Sequence, residues 1–270
     1  MALTEMTRIA VIGAGDLGAA IIAALIARGG IAPERIVAVT SSGAAPRLAD
    51  RPALTVARDP ARAAAAADIT LLAVPPAAAA GLSLGTPPGP VLSVMAGVTL
   101  AGLERITGHG RVIRAMSSPA AARGLAFSPY IAGPEATPAD AALAHALLAA
   151  CGPAEPVPDE NQIDLFTALT GPVPGFVAAF AAMLADWAAA RGVDPGLADR
   201  AVRQLVRAAG EVMATTAPTP AERVAEMVDY AGTTAAGLSH LATTTMAADL
   251  ARALDASVDK ARAIAAGPDA

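Results

Sequence analysis

The chain has 270 residues, 54 % of them apolar but only 3 % aromatic, and a formal net charge of −5. That length and apolar content suit one large or two ordinary globular domains with a sizeable core. A negative balance without a basic cluster argues against nucleic acid as a partner, and no membrane span is expected, because the nearest candidate, Leu17 to Ala27, is too short for a bilayer.

The first residues show no basic region leading into an apolar run and a cleavage site, so a cytoplasmic location is expected. Arg8 to Ile12 is a short β-branched run that ends at Gly13-Ala14-Gly15-Asp16-Leu17-Gly18. Leu17, Ile21, Ile22, Leu25 and Ile26 then recur at helical spacing, which makes the order strand, turn, helix. Gly13, Gly15 and Gly18 match the dinucleotide-binding spacing GxGxxG. The first glycine permits a tight turn, the second a close approach to pyrophosphate and the third close packing of helix on strand. Backbone N–H groups at the helix start, with its dipole, suit the phosphates. Asp16 is awkward there: it either repels a phosphate or caps the helix with its side chain facing away.

Arg35 to Thr40 is the second strand-like run, and it does not end in the acidic residue that would take a ribose 2′-hydroxyl. Thr40, Ser41 and Ser42 offer hydroxyls and Arg47 is near, a set that suits a 2′-phosphate and favours NADPH over NADH. Ile69 to Val74, Val91 to Met95 and Val112 to Met116 are nearly continuous apolar runs, alternating with helical stretches at Asp59 to Ala67, Thr99 to Thr107 and Pro138 to Ala150. Such alternation predicts a parallel sheet covered on both faces. Cys151, the single cysteine, lies at the end of a predicted helix without a neighbouring base or metal co-ligand and reads as a buried thiol.

The Pro- and Gly-rich stretch Cys151 to Pro158 marks a boundary between a dinucleotide-binding domain, 1–158, and an all-helical domain, 159–270. Helices are expected at Gln162 to Arg191, Pro195 to Ala214, Ala221 to Tyr230 and, as one or two, Thr233 to Ala266. Gly171-Pro172-Val173-Pro174-Gly175 must break or kink the first of them. Met95, Met116 and Met183 read as core fillers and Trp187 as core or interface. His240 reads as structural, and the spacing of histidines and acids implies no metal.

The GAGxLG turn, Leu71-Leu72-Ala73-Val74-Pro75-Pro76, Ser93-Val94-Met95-Ala96-Gly97, Arg114-Ala115-Met116, Thr167-Ala168-Leu169-Thr170-Gly171 and Gly232-Thr233-Thr234 together resemble the pyrroline-5-carboxylate reductase family. Members reduce a cyclic imine to proline with NAD(P)H, so the resemblance implies an imine as small-molecule substrate. It also implies a Rossmann domain followed by a helical domain that interlocks with a second subunit, in a homodimer or an assembly of dimers. It adds Ala73, Val74, Pro75, Ala96 and Gly97 to the cofactor set, leaves Arg114 structural, and assigns substrate contacts to Thr170, Gly171, Gly175, Gly232 and Thr233. Thr234 stands where the family places a hydroxyl against the substrate nitrogen.

The chain departs from the family's pattern where the substrate would bind. In the Ser-Gly-Ser-Gly-Pro-Ala stretch, Pro172 and Val173 replace the second serine and glycine, which removes a hydroxyl and an amide hydrogen. In the Ser-Pro-Gly-Gly-Thr-Thr stretch, Asp229, Tyr230 and Ala231 replace the first three residues; Asp229 would stabilise an iminium and Tyr230 would protonate nitrogen. Pro75 stands for a lysine, and Ser117-Ser118-Pro119 lacks an asparagine. A kept cofactor turn beside a rebuilt substrate segment predicts reduction of a different imine. Two alternatives stay open: a dehydrogenase acting on a C–O bond, weakened because Lys260 is the helical domain's one lysine, and a non-catalytic dinucleotide-binding regulatory protein.

Overall fold

A computed structural model describes residue 3, residues 7–79 and residues 81–266. The chain forms two compact units, one running to Gly171 and taking up the chain again from Ser257, the other Pro172–Ala256.

In the first unit the elements are β1 (Ile9–Ile12), α1 (Asp16–Ala27), β2 (Ile36–Val39), β3 (Thr55–Ala57), α2 (Pro60–Ala65), β4 (Ile69–Leu72), α3 (Pro76–Ala79), β5 (Val91–Ser93), α4 (Leu100–Thr107), β6 (Val112–Ala115), β7 (Ser128–Ala132), α5 (Pro138–Ala149), β8 (Ala154–Pro156) and α6 (Asn161–Thr170). The strands form one eight-stranded sheet in the order β3-β2-β1-β4-β5-β6-β7-β8. All pairs from β3 to β6 are parallel, with β1 held between β2 and β4 in the register Ile12↔Val39 and Ile12↔Leu72. The expected parallel, doubly wound sheet is therefore present, and its order reverses at β1, where such sheets open a ligand crevice.

Three strands were not visible in the apolar pattern. β3 is a three-residue, largely exposed edge strand. β7 contains Pro129 and runs antiparallel to β6, and β8 falls inside the Pro-rich stretch read as a boundary. Proline and brevity weaken a strand signal, because proline cannot donate to a ladder.

Each face of the sheet carries its own core. Ile21, Ile22 and Leu25 of α1 with Leu147 and Leu148 of α5 cover one face. Ala63 and Ala64 of α2 with Leu103 of α4 cover the other. Local caps fix the helix starts: Asp59 accepts from the Arg62 amide, Thr99 from Gly102, and Thr137 with Asp140 forms a capping box. Cys151 is buried as expected, and burial pushes its thiol up to about 12 despite the charge of Arg28.

The second unit is helical: α7 (Val173–Ala189), α8 (Pro195–Thr215), α9 (Pro220–Asp229), α10 (Thr233–Leu241) and α11 (Met246–Ala266), the last crossing back into the first unit. Gly171 and Pro172 stay in the right-handed helical region, and the helical assignment is interrupted at these two residues between α6 and α7, where the prolines remove hydrogen bonds. α7 buries none of its side chains; Met183 is 62 % and Trp187 60 % exposed, so neither fills a core within the chain. That corrects the reading of Met183, whereas Met95 and Met116 are buried. The longest apolar segment is Asn161–Ala189, not Leu17 to Ala27, and by length and composition it meets the size of a membrane span while being almost unburied.

The pair Asp140–Arg111 tests how the sheet edge is secured. Burial works to raise the Asp140 carboxyl, but hydrogen bonds from Arg111 and from the Thr137 backbone and hydroxyl win and hold it at about 2. A carboxyl depressed in the folded state contributes stability above its unfolded value and loses it as pH falls through the folded one. Asp140→Asn should therefore cost about 2 kcal/mol at pH 7, and the gap from the native protein should narrow between about pH 4 and pH 2 in denaturant titrations.

Candidate active site

The crevice at the carboxyl ends of β1 and β4 is closed by backbone contacts too tight for side chains. The Gly13 amide donates to the Val39 carbonyl at 2.9 Å and the Ala73 amide to that of Ile12 at 2.8 Å, stitching three strand ends together. Gly13 has φ +101, and a Cβ there would lie 2.6 Å from the Ala73 carbonyl oxygen. A Cβ on Gly18 would collide with the Gly13 carbonyl oxygen. Gly15 differs: its φ is −71, and a Cβ would meet nothing within 4 Å. The space at Gly15, the position expected to face pyrophosphate, is open, with the first amides of α1 beside it.

Leu17 opens the helix on its partly buried side. Asp16 does not cap α1; Gly15 is the N-cap, and the Asp16 carboxylate faces solvent, taking the Arg47 Nε at 2.6 Å. Arg47 is thus neutralised by the turn it flanks. Thr40-Ser41-Ser42 follow β2 as a tight turn in which the Thr40 and Ser42 hydroxyls both donate to the Ala44 carbonyl. Arg58, which the apolar pattern passed over, donates from Nη2 to the Ser42 carbonyl at 2.6 Å. Its signal lay in the unrecognised β3, whose end lies beside that of β2.

Ala73, Val74 and Pro75 follow β4, and the Val74 side chain also reaches Gly13. Ala96 and Gly97 follow β5, with Gly97 at φ +76 turning the chain into the Thr99 cap of α4. Every cofactor candidate of the sequence reading thus stands at, or just beyond, the carboxyl end of β1, β2, β4 or β5.

Within β6, Arg114 is 1 % exposed and pairs with Glu160 at 2.9 Å and Asp164 at 2.5 Å. Glu160 also accepts from the Leu100 amide at the start of α4. Arg114 thereby ties α6 to the sheet, a structural task. Thr170 ends α6, and its hydroxyl donates to the Phe166 carbonyl at 2.9 Å, so its proton is turned back into the helix. Gly171 closes the first unit.

In the second unit, Gly175 lies in the first turn of α7 with open space at its α-carbon. Asp229 ends α9, Tyr230 caps it with 87 % exposure, and Ala231 holds φ +56 where the family has glycine. Gly232 is the N-cap of α10 and the exposed Thr233 and Thr234 are its first two residues. Ala231 pays steric strain for the tight passage from α9 to α10 that presents both threonines. His240 is exposed rather than packed.

The comparisons with known proteins match both halves of this description. The family model "Pyrroline-5-carboxylate reductase dimerisation" matches residues 160–264, and "NADP oxidoreductase coenzyme F420-dependent" matches residues 8–97. The pyrroline-5-carboxylate reductase of Methanosarcina acetivorans is 33 % identical over 88 % of this chain and 90 % of its own length. The chain belongs to the pyrroline-5-carboxylate reductase family. Its relative from Synechocystis is 30 % identical over 87 % of this chain and 89 % of that protein. The Plasmodium falciparum pyrroline carboxylate reductase, solved with NADP bound, shares the fold with a TM-score of 0.82, covering 97 % of this chain and 99 % of that one at 19 % identity. Family membership makes the chain an NAD(P)H-dependent oxidoreductase of the class that reduces C=N bonds. The NADP oxidoreductase match covers the crevice residues and supports NADPH.

Two substitutions separate fold from function. Gly15→Ala should leave the melting temperature unchanged, because its Cβ meets no protein atom, yet weaken dinucleotide binding about ten-fold or more by filling space meant for pyrophosphate; a fluorescence titration with NADPH reads this directly. Ala231→Gly should raise stability by about 1 kcal/mol by relieving the left-handed alanine, measured by chemical denaturation.

Proposed function

We propose that this family member reduces an imine other than pyrroline-5-carboxylate, one lacking a carboxylate at the position the family grips. The single observation that carries the reading is the donor count at residues 170–173. Pro172 has neither the amide hydrogen nor the hydroxyl of the serine it replaces, and the Thr170 hydroxyl donates to Phe166. A carboxylate there would lose the hydrogen bonds that offset its desolvation. An uncharged imine does not need them.

NADPH, when bound, supplies the hydride. The chain's part is orientation and electrostatics. Asp229 is placed to stabilise a developing iminium charge, Tyr230 to donate a proton to nitrogen, and Thr234 to hydrogen-bond that nitrogen, with Gly171, Gly175, Gly232 and Thr233 as backbone and hydroxyl contacts. The functional division falls at 158/159, just ahead of the dimerisation match at residue 160. We infer a homodimer, or an assembly of dimers, whose partner covers the exposed Phe180, Met183 and Trp187 of α7. That cover also accounts for the apolarity of Asn161–Ala189 in a cytoplasmic enzyme.

The test is NADPH oxidation with pyrroline-5-carboxylate against uncharged cyclic and acyclic imines at equal protein. Faster turnover of an uncharged imine is expected; pyrroline-5-carboxylate as the best substrate would overturn the altered-substrate reading, and silence on all of them would overturn the imine reading itself. With the best substrate, Thr234→Val should lower kcat/KM about ten-fold or more without lowering the melting temperature, since the side chain is exposed.

A further inference from the structure

We propose that Arg58 is the cofactor-specificity residue of this enzyme, its guanidinium taking the 2′-phosphate of NADPH. The inference rests on the assignment of NADPH as cofactor. β2 and β3 run side by side in the register Val39↔Ala57, and the Thr40 amide donates to the Ala57 carbonyl at 3.0 Å. Arg58, the first residue beyond β3, therefore stands against the Thr40-Ser41-Ser42 turn beyond β2, the place where a Rossmann sheet presents the adenosine ribose.

The arginine is held there. Its Nη2 bonds the Ser42 carbonyl at 2.6 Å, and its side chain lies across Gly43, which has φ +69 and where a Cβ would collide with Nε. One N–H is thereby engaged, and the rest of the fork is exposed. No carboxylate among the described residues forms an ion pair with it; the adjacent Asp59 faces the other way, accepting from the Arg62 amide at 3.0 Å to cap α2. Arg47, by contrast, is already paired with Asp16. A pre-positioned, uncompensated guanidinium matches a phosphate dianion in geometry and charge. The end of β2 offers no acid to hold a free 2′-hydroxyl, since Thr40 stands there.

Dissociation constants for NADPH and NADH, and for 2′,5′-ADP and 5′-AMP, measured by fluorescence and calorimetric titration of the full chain, decide the matter without turnover. Arg58→Gln should weaken NADPH and 2′,5′-ADP about ten- to a hundred-fold and leave NADH and 5′-AMP within about two-fold. Arg58→Lys should retain part of the preference, and Arg47→Gln most of it. The proposal is overturned if Arg47→Gln abolishes the preference while Arg58→Gln keeps it, or if Arg58→Gln weakens all four ligands alike. A native protein that binds NADH as tightly as NADPH would instead overturn the NADPH assignment, and the proposal with it.

Discussion

The close approach of Gly13 to the Ala73 carbonyl, and of Gly18 to that of Gly13, is the constraint on which the cofactor half depends. Three elements meet there, β1, β4 and α1, and no Cβ fits at either point. Because the contact is backbone on backbone, the surrounding side chains cannot relax it. The helix is consequently fixed with its first amides over the crevice where the strand order reverses. Gly15 needs no such freedom for folding, because a Cβ there would meet no other atom of the chain.

A second constraint works at the other end of the sheet. Arg114 is buried against two partly exposed carboxylates, Glu160 and Asp164, which between them compensate its charge. The cluster joins β6, the start of α4 through the Leu100 amide, and α6. The Arg114 Nε makes no hydrogen bond. Charge pairing, together with the buried Ile163 and Ala168 and the stacking of Phe166 on Phe127, thus anchors the helix that ends in Thr170.

The parts of this architecture that were legible in the sequence are those dictated by burial on both sides. β1, β4 and β6 are fully buried along their lengths and appear as nearly continuous apolar runs, broken by Thr70 in β4 and Arg114 in β6. β3 and β8 are short edge or near-edge strands with exposed residues, and β7 contains a proline, so periodicity had nothing to register. The glycine turn was legible because its spacing encodes backbone contacts. Arg58 was not, because its place beside Ser42 depends on the β2–β3 pairing. Met183 misled because an apolar side chain on a helix has the same pattern whether it meets its own core or another subunit.

The two segments that depart from the family's pattern diverge in different ways, and the difference is physical. At 172 the replacement by proline removes an amide donor and a hydroxyl. At 229–234 the two threonines remain at the start of α10, and the helix is entered through a left-handed alanine that the fold tolerates at a cost. Strain of this kind persists where the surroundings over-determine the backbone. The entry to α10 is therefore held in place even without a glycine at 231.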